Sequence, residues 1–543
     1  MTLDDLVLAL QRLVDRLVRR LRLGPPPLPG RRRLLIVQID GLSRAVLQEA
    51  LAQGRMPFVR SLLRHGFRLA PMSVGLPTST PAFQLSAMYG VRPDIPGFHY
   101  HDKRRRADVY FPRSRDAAWV EATQAAGREG ILDGGSAYGC VFTGGAANNV
   151  FNFARMWRPG GRGLLRALSG FVVLYWVLAK GSVATVLELG RAAGRSLRGE
   201  RPPGWKFITL KVAVSVWVRQ LFTLGASRDL YAGAPAVYVN YLDYDVMAHA
   251  YGPRHRRAFR ALRRVDASLR QLWRVVRRVP GHGYDLYVLS DHGLAEMRSF
   301  RALNGGRPLE RLLFEDFFDR VALRDAGGAA AGSGELVAGL QAYRRERGSG
   351  LVQRFVNYIE RDFLGRLRSP SPPVDRAPEA VERDGVRVIS AGPNAFVYFL
   401  HETPPLAVEA IDERHPGLVD DISRARGIGF VLVRAAGGPV CVWRGKRYPL
   451  DAIEGGPFAD RPDRALVAED LRQLMAMPSA GDLVIYGHAS PDGDVSFVDE
   501  LGAHAGPGRE ELETFIVAPE RAPLPAPIEH PVQLYPFFLR YRA

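Results

Sequence analysis

The chain has 543 residues and a formal net charge of +18, carried almost entirely by arginine, and it contains only 2 cysteines, Cys140 and Cys441. That length exceeds what one hydrophobic core usually organises, so one large domain with insertions, or two domains, is expected. Two cysteines exclude a disulfide framework and a cysteine zinc site and are expected as small buried residues, while arginine dispersed among Ala, Gly and Pro without a compact motif argues against a specific nucleic-acid partner.

Residues 3–23, LDDLVLALQRLVDRLVRRLRL, set Leu3, Leu6, Val7, Leu10, Leu13, Val14, Leu17, Val18 and Leu21 at helical spacing. Asp4 and Asp5 stand near the start and Arg19, Arg20 and Arg22 near the end, as the helix dipole favours. Such a helix lies either in a membrane interface or against its own domain or a second copy. GPPPLPG then breaks it, giving a helix and linker over 1–30 ahead of the main domain over 31–543. No basic stub, apolar run and cleavage site open the chain, so the expected location is cytoplasmic, peripheral at a membrane.

After the linker, LLIVQID (34–40) reads as a buried strand ending in an aspartate, and YVLSDHG (287–293) has the same shape. A buried unpaired carboxylate would cost several kcal/mol, whereas a metal ion at the end of such a strand would offset it. Further strands are expected at 236–245, 396–400, 429–434, 482–487 and 514–518, with helical patterns between several of them. The fold class is therefore α/β, with a mainly parallel central sheet flanked by helices.

Two regions read as insertions, a helical one at 155–235 and a variable Gly-, Arg- and Pro-rich one at 320–380 that ends in SPSPPVD. The first holds the apolar run 167–189, with Lys180 near its centre. That lysine costs about 2.5–3.5 kcal/mol in a bilayer, against a return of about 0.3–0.6 for each strongly apolar residue. The sum is near zero, so a helical hairpin over 165–222, packed on the core or lying in a membrane interface, is expected rather than a span.

Four signals surround Asp40, Asp291 and His292. In DVMAHAYGP, Asp245 and His249 are spaced i, i+4 and would face the same way on a helical turn. ELGAHAGPG places His504 in a glycine-rich loop, and PTSTPAFQ offers Thr78, Ser79 and Thr80 just before a helix whose N-terminus favours an anion. The segment HYHDKRRR, with Lys103, would hold a further anionic group or form a solvated basic loop. Singly each signal is weak, since a histidine is usually structural and a Thr-Ser-Thr usually a helix cap.

In their order QIDG, PTSTPAFQ, YGVRPDIPG, DVMAHAYGP, SDHG and GAHAG, these segments resemble the alkaline phosphatase superfamily and, within it, the type I phosphodiesterase and nucleotide pyrophosphatase family. The resemblance implies an alkaline-phosphatase-like core and two divalent metal ions, zinc foremost, with manganese or iron suited to the same N and O ligands. It assigns Asp245, His249 and His504 to one ion and Asp40, Asp291 and His292 to the other, with Thr80 beside it as the nucleophile. Thr78 and Ser79 remain alternative nucleophiles. Paired metals about 4 Å apart clamp the attacking and leaving oxygens of an in-line displacement at phosphorus, and a phosphothreonine on Thr80 would follow. Where the family places an Asn three residues after the threonine this chain has Phe83, and the adjacent Gln84 is the candidate replacement donor. The family's turn histidine is Pro96, and Thr80-Pro81-Ala82 lacks the sulfatase arrangement. The expected substrates are phosphate-ester small molecules or, with 3–23 and 165–222 at a membrane surface, lipid headgroups. The alternatives are a phosphoglycerol-type transferase, a mutase, or a non-catalytic membrane-associated protein that keeps the fold.

Overall fold

The strand Arg33–Ile39 is buried along its whole length. Its side chains alternate between two cores, with Leu34 and Ile36 in one and Leu35, Val37 and Ile39 in the other. A strand that is apolar on both faces must be covered on both, and the architecture follows from that requirement. The computed structural model describes residues 31–150, 218–318, 380–452 and 455–542. The expected amphipathic helix at 3–23, most of the apolar hairpin and nearly all of the 320–380 insertion lie outside the described residues.

Among the described residues seven strands form the central sheet. Tyr284–Leu289, Arg33–Ile39, Ala236–Tyr241, Ser136–Tyr138 and Asn148–Val150 run parallel as successive neighbours. Glu513–Pro519 joins antiparallel beside Tyr284–Leu289, and Phe67–Ser73 pairs antiparallel with it at the edge. The sheet is thus mixed and mostly parallel. One face is covered by the helices Arg44–Ala52, Pro57–Arg64, Arg219–Ala232 and Arg256–Arg278. The last buries Phe259, Leu262, Val265, Leu269, Leu272 and Val276 at i, i+3, i+4 spacing and leaves Arg263, Arg270 and Arg277 exposed. Part of the large positive charge is therefore a solvated helix face. The helices Thr80–Tyr89, Arg464–Ala476 and Leu534–Leu539 contribute to the core on the opposite face.

The strands expected at 396–400, 429–434 and 482–487 form, but they lie in a second seven-stranded sheet that is antiparallel at every pairing. Connection length explains the difference. Ala380–Arg383, Val386–Ser390 and Asn394–Phe399 follow one another through short turns, which permit hairpins but not parallel crossovers. Short apolar runs look alike in both kinds of sheet. Phe396, Phe430 and Val484 on one face share the core of Leu34 and Phe83, while Val397, Val431 and Ile485 on the other pack with Val408, Ile411 and Val419. Cys140 and Cys441 are free and buried. Among the described residues no helix is long and apolar enough to cross a membrane.

Candidate active site

Three neighbouring parallel strands deliver three carboxylates to one place. Arg33–Ile39 ends in Asp40, Tyr284–Leu289 continues through Ser290 into Asp291 and His292, and Ala236–Tyr241 turns into the helix Asp243–Tyr251, which carries Asp245 and His249. The register sets Gln38 opposite both Asn240 and Leu289, so the chains leave the sheet side by side at its carboxyl ends, where α/β sheets place their sites. Gly41 follows Asp40 with φ +75°, and a Cβ there would stand 2.4 Å from Leu294 Cδ1 and 2.8 Å from Asp245 Oδ1. Only glycine lets the backbone pass that close. Ser290 fastens two of the exits together, accepting from Leu42 N at 2.9 Å and donating to Ile39 O at 2.8 Å.

His504 arrives from the segment before the last central strand. Its Nδ1 lies 2.7 Å from the Thr78 carbonyl, Ala505 N donates to Thr78 Oγ1 at 2.8 Å, and the Thr78 hydroxyl donates to Gly506 O at 3.1 Å. Thr78 therefore clips the His504 loop to the segment entering the helix Thr80–Tyr89. Ser79 Oγ is buried with no hydrogen-bond partner among the described residues. Thr80, the first residue of the helix, has its Oγ1 3.3 Å from His292 Nε2 and 3.5 Å from Asp40 Oδ1.

Among the described residues two groups of three candidate ligands have their donor atoms within 4.8 Å of one another: Asp40 with Asp291 and His292, and Asp245 with His292 and His504. His292 belongs to both and stacks on His504 at a ring separation of 3.7 Å. His249 stands just outside the second group, with Nε2 3.2 Å from Asp245 Oδ1 and its ring centred 5.1 Å from that of His504. Asp245 Oδ1 and His249 Nε2 face only each other, at 3.2 Å, and Asp291 Oδ2 lies 3.5 Å from His292 Nε2, but none of these buried atoms makes a formed hydrogen bond among the described residues. Buried anionic and imidazole atoms left in that condition are costly unless a cation takes them.

Electrostatics point the same way. Burial, reinforced by the charges of Asp291 and Asp245, pushes Asp40 up to about 7, and burial raises Asp291 as well. Burial would also raise Asp245, but the charges of His249, His504 and His292 bring it down to about 2. In His292 burial opposes the charge, yet Asp291 and Asp40 hold the ring up at about 9. His504 is driven well down by burial and by the charges of His292 and His249. In His249 burial again opposes the charge, but Asp245 and Glu500 hold the ring well above its ordinary value, so protons on His292 and His249, with Asp40 near neutrality, stand where divalent cations would balance the three aspartates. The donor set of imidazole nitrogens and carboxylate oxygens suits zinc, and also manganese or iron.

Phe83, Gln84 and Lys103, the expected substrate contacts, each have partners within the protein. Phe83 is buried in the core shared by the two sheets. Gln84, one turn below Thr80, donates to Gln38 Oε1 at 3.0 Å and accepts from Val141 N at 2.7 Å, which uses one of its two N–H donors. Lys103 lies in the hairpin His99–Asp102 and Ala107–Tyr110, its Nζ 2.7 Å from Asp482 in a pair whose side chains are 5% and 0% exposed. Only Arg104, Arg105 and Arg106 at the hairpin tip are exposed.

Residues not singled out from sequence also hold the cluster. Asn240 Nδ2 donates to Asp40 Oδ2 at 2.7 Å and to Gly139 O at 3.3 Å. The signal for it was a lone amide inside the otherwise apolar strand AVYVNY. Glu500 Oε2 lies 3.0 Å from His249 Nδ1, and nothing in the sequence connects the two.

The profile of the type I phosphodiesterase / nucleotide pyrophosphatase family matches residues 34–345, more than half of the chain. Among curated proteins none matches. Similar solved structures include phosphonoacetate hydrolase from Sinorhizobium meliloti in complex with phosphonoformate, at 14% identity and a TM-score of 0.47 over 95% of this chain and 96% of that one. Its complex with phosphonoacetate gives 14% and 0.46 over the same shares of the two chains, 95% and 96%. Murine ectonucleotide pyrophosphatase / phosphodiesterase 5, an inactive variant in complex with AMP, gives 11% identity and 0.44 over 94% of each chain. With a profile match of that extent, this chain belongs to the type I phosphodiesterase / nucleotide pyrophosphatase family of the alkaline phosphatase superfamily.

Proposed function

We propose that the chain is a two-metal phosphodiesterase or nucleotide pyrophosphatase that works through a covalent phosphoryl-threonine on Thr80, its catalytic unit spanning 31–543. Family membership supports a hydrolase of phosphoric esters. The observation that carries the finer reading is the meeting of one hydroxyl, Thr80 Oγ1, with His292 at 3.3 Å and Asp40 at 3.5 Å on the edge of two carboxylate and imidazole groups. Asp40, Asp291 and His292 would hold one divalent ion, and Asp245, His249 and His504 the other. Bound there, such ions supply Lewis-acid stabilisation of the attacking and leaving oxygens.

The chain's own residues supply the rest. Asn240 engages Oδ2 of Asp40 and leaves Oδ1 towards Thr80. The first turn of the helix Thr80–Tyr89 adds orphan backbone N–H groups at the end where a phosphoryl group would lie. Thr80 Oγ1 gives up its proton as it attacks phosphorus, the bond from phosphorus to one ester or anhydride oxygen breaks, and the departing alcohol or phosphate takes up a proton in exchange. Thr80 then carries the phosphoryl group, still bearing its second ester where the substrate was a diester. Water attacks that phosphorus, the bond to Oγ1 breaks, and the threonine hydroxyl is restored as the monoester leaves.

Acid quenching of zinc-loaded protein during turnover of bis-p-nitrophenyl phosphate, followed by peptide mass spectrometry, tests the reading. A nitrophenylphosphoryl adduct on Thr80 is expected. An adduct on Thr78, on Ser79 or on no residue while product accumulates would sink it.

A further inference from the structure

We infer that Glu500 is a positioning residue for one of the two metal ions, acting through His249. The inference rests on the two-metal reading. Glu500 lies four residues before His504, and the backbone between them runs against the helix Asp243–Tyr251, with Leu501 N donating to His249 O at 2.9 Å. On this stretch one side chain reaches the cluster directly and the other reaches the back of a ligand. Glu500 Oε2 is 3.0 Å from His249 Nδ1, and both side chains are 2% exposed. The other carboxylate oxygen accepts from Ser496 Oγ at 3.0 Å, which holds the group from behind.

Each of the three histidines is engaged in the same sense. Nδ1 of His504 meets Thr78 O at 2.7 Å, Nδ1 of His292 meets Gly293 O at 3.2 Å, and Nδ1 of His249 meets Glu500 at 3.0 Å. In His504 and His292 the acceptor fixes the proton on Nδ1 and leaves Nε2 as the ligating atom. In His249 the 3.0 Å contact with Glu500 is a charge contact whose angle falls outside a formed hydrogen bond, and its position behind the ring favours Nε2 for the metal in the same way. His249 alone has a carboxylate there. A carboxylate behind a ligating imidazole raises its basicity as well as fixing its orientation, and loss of such a partner commonly weakens metal affinity by about 10–100-fold. Charge supports the assignment. With two divalent cations bound, Asp40, Asp245, Asp291 and Glu500 would together offer four carboxylates to four positive charges.

Zinc titration of the full chain against a chromophoric chelator, with Glu500→Gln and Glu500→Ala beside wild type, tests this without reference to turnover. Glu500→Gln keeps an acceptor for Nδ1 and a partner for Ser496 but removes the charge. It should bind one of its two ions several-fold more weakly, while Glu500→Ala should lose about 10–100-fold at that ion, and the other ion should be unaffected in both. Circular dichroism of the chelated proteins reports whether Glu500→Ala still folds. If it does not, Glu500→Gln alone decides. Wild-type affinity for both ions in Glu500→Gln would overturn the inference, as would equal weakening of both. Wild type that binds no pair of ions would instead overturn the two-metal reading beneath it.

Discussion

Lys103 separates two readings that differ by a measurable amount. Its ammonium sits 2.7 Å from Asp482 in a pair almost wholly removed from water, and Asp482 also accepts from Phe399 N at 2.7 Å and Leu406 N at 2.6 Å. Lys103→Met keeps the length of the side chain and leaves the carboxylate buried without its cation. Breaking a buried pair in this way costs about 3–5 kcal/mol, and the two remaining backbone donors place the expected loss near the lower end, about 3 kcal/mol. Urea unfolding of the variant and wild type measures it, and the double variant Lys103→Met, Asp482→Asn should recover part of it because the orphan charge is gone. Turnover of a diester by the folded variant should keep its KM. Unchanged stability together with a tenfold rise in KM would refute the packing role and restore Lys103 as a substrate contact.

Asn240→Leu removes the donor to Asp40 Oδ2 and should weaken zinc binding by about 10–100-fold, measured by chelator competition; unchanged affinity would exclude Asn240 from orienting Asp40. In the metal-free protein, Asp40 is raised to about 7 and His292 to about 9. For a group whose folded value is raised, the stability it contributes is present below its ordinary value and lost as pH climbs through the raised one. The chelated protein should therefore lose the Asp40 contribution between about pH 4 and 7 and the His292 contribution between about pH 6.5 and 9, while the zinc-loaded protein, whose ligands are already deprotonated, should not. Urea midpoints in the two states across that range check this, and parallel curves would contradict it.

The sequence was most legible where physical constraints are local. Asp40 and Asp291 announce themselves because each closes an apolar run, and Asp245 and His249 because i, i+4 spacing on a helical turn puts both at one place. His504 was legible only through the order of the motifs, since its partner in the structure, the Thr78 carbonyl, is 426 residues away in the chain. Sheet membership was not legible. FVYFL and DLVIYG look like parallel strands because both faces are buried, yet one face meets the shared core and the other a separate one, and periodicity cannot show which sheet supplies the neighbour. The partners of Gln84 were not legible for a related reason: Gln38 and Val141 meet its amide through contacts distant in the chain. Glu500 is legible only in three dimensions.

Hydrolysis of bis-p-nitrophenyl phosphate and of p-nitrophenyl phosphate, by zinc-loaded wild type and by Thr80→Ala with zinc counted on the same samples, bears most directly on whether Thr80 and a metal pair make this chain a phosphodiesterase. Two zinc ions in both proteins are expected, with preference for the diester in wild type and a loss of about 10³-fold or more in Thr80→Ala, as removal of a nucleophile produces. Fully metallated wild type that turns over neither compound, or a Thr80→Ala variant that keeps the wild-type rate, would contradict it.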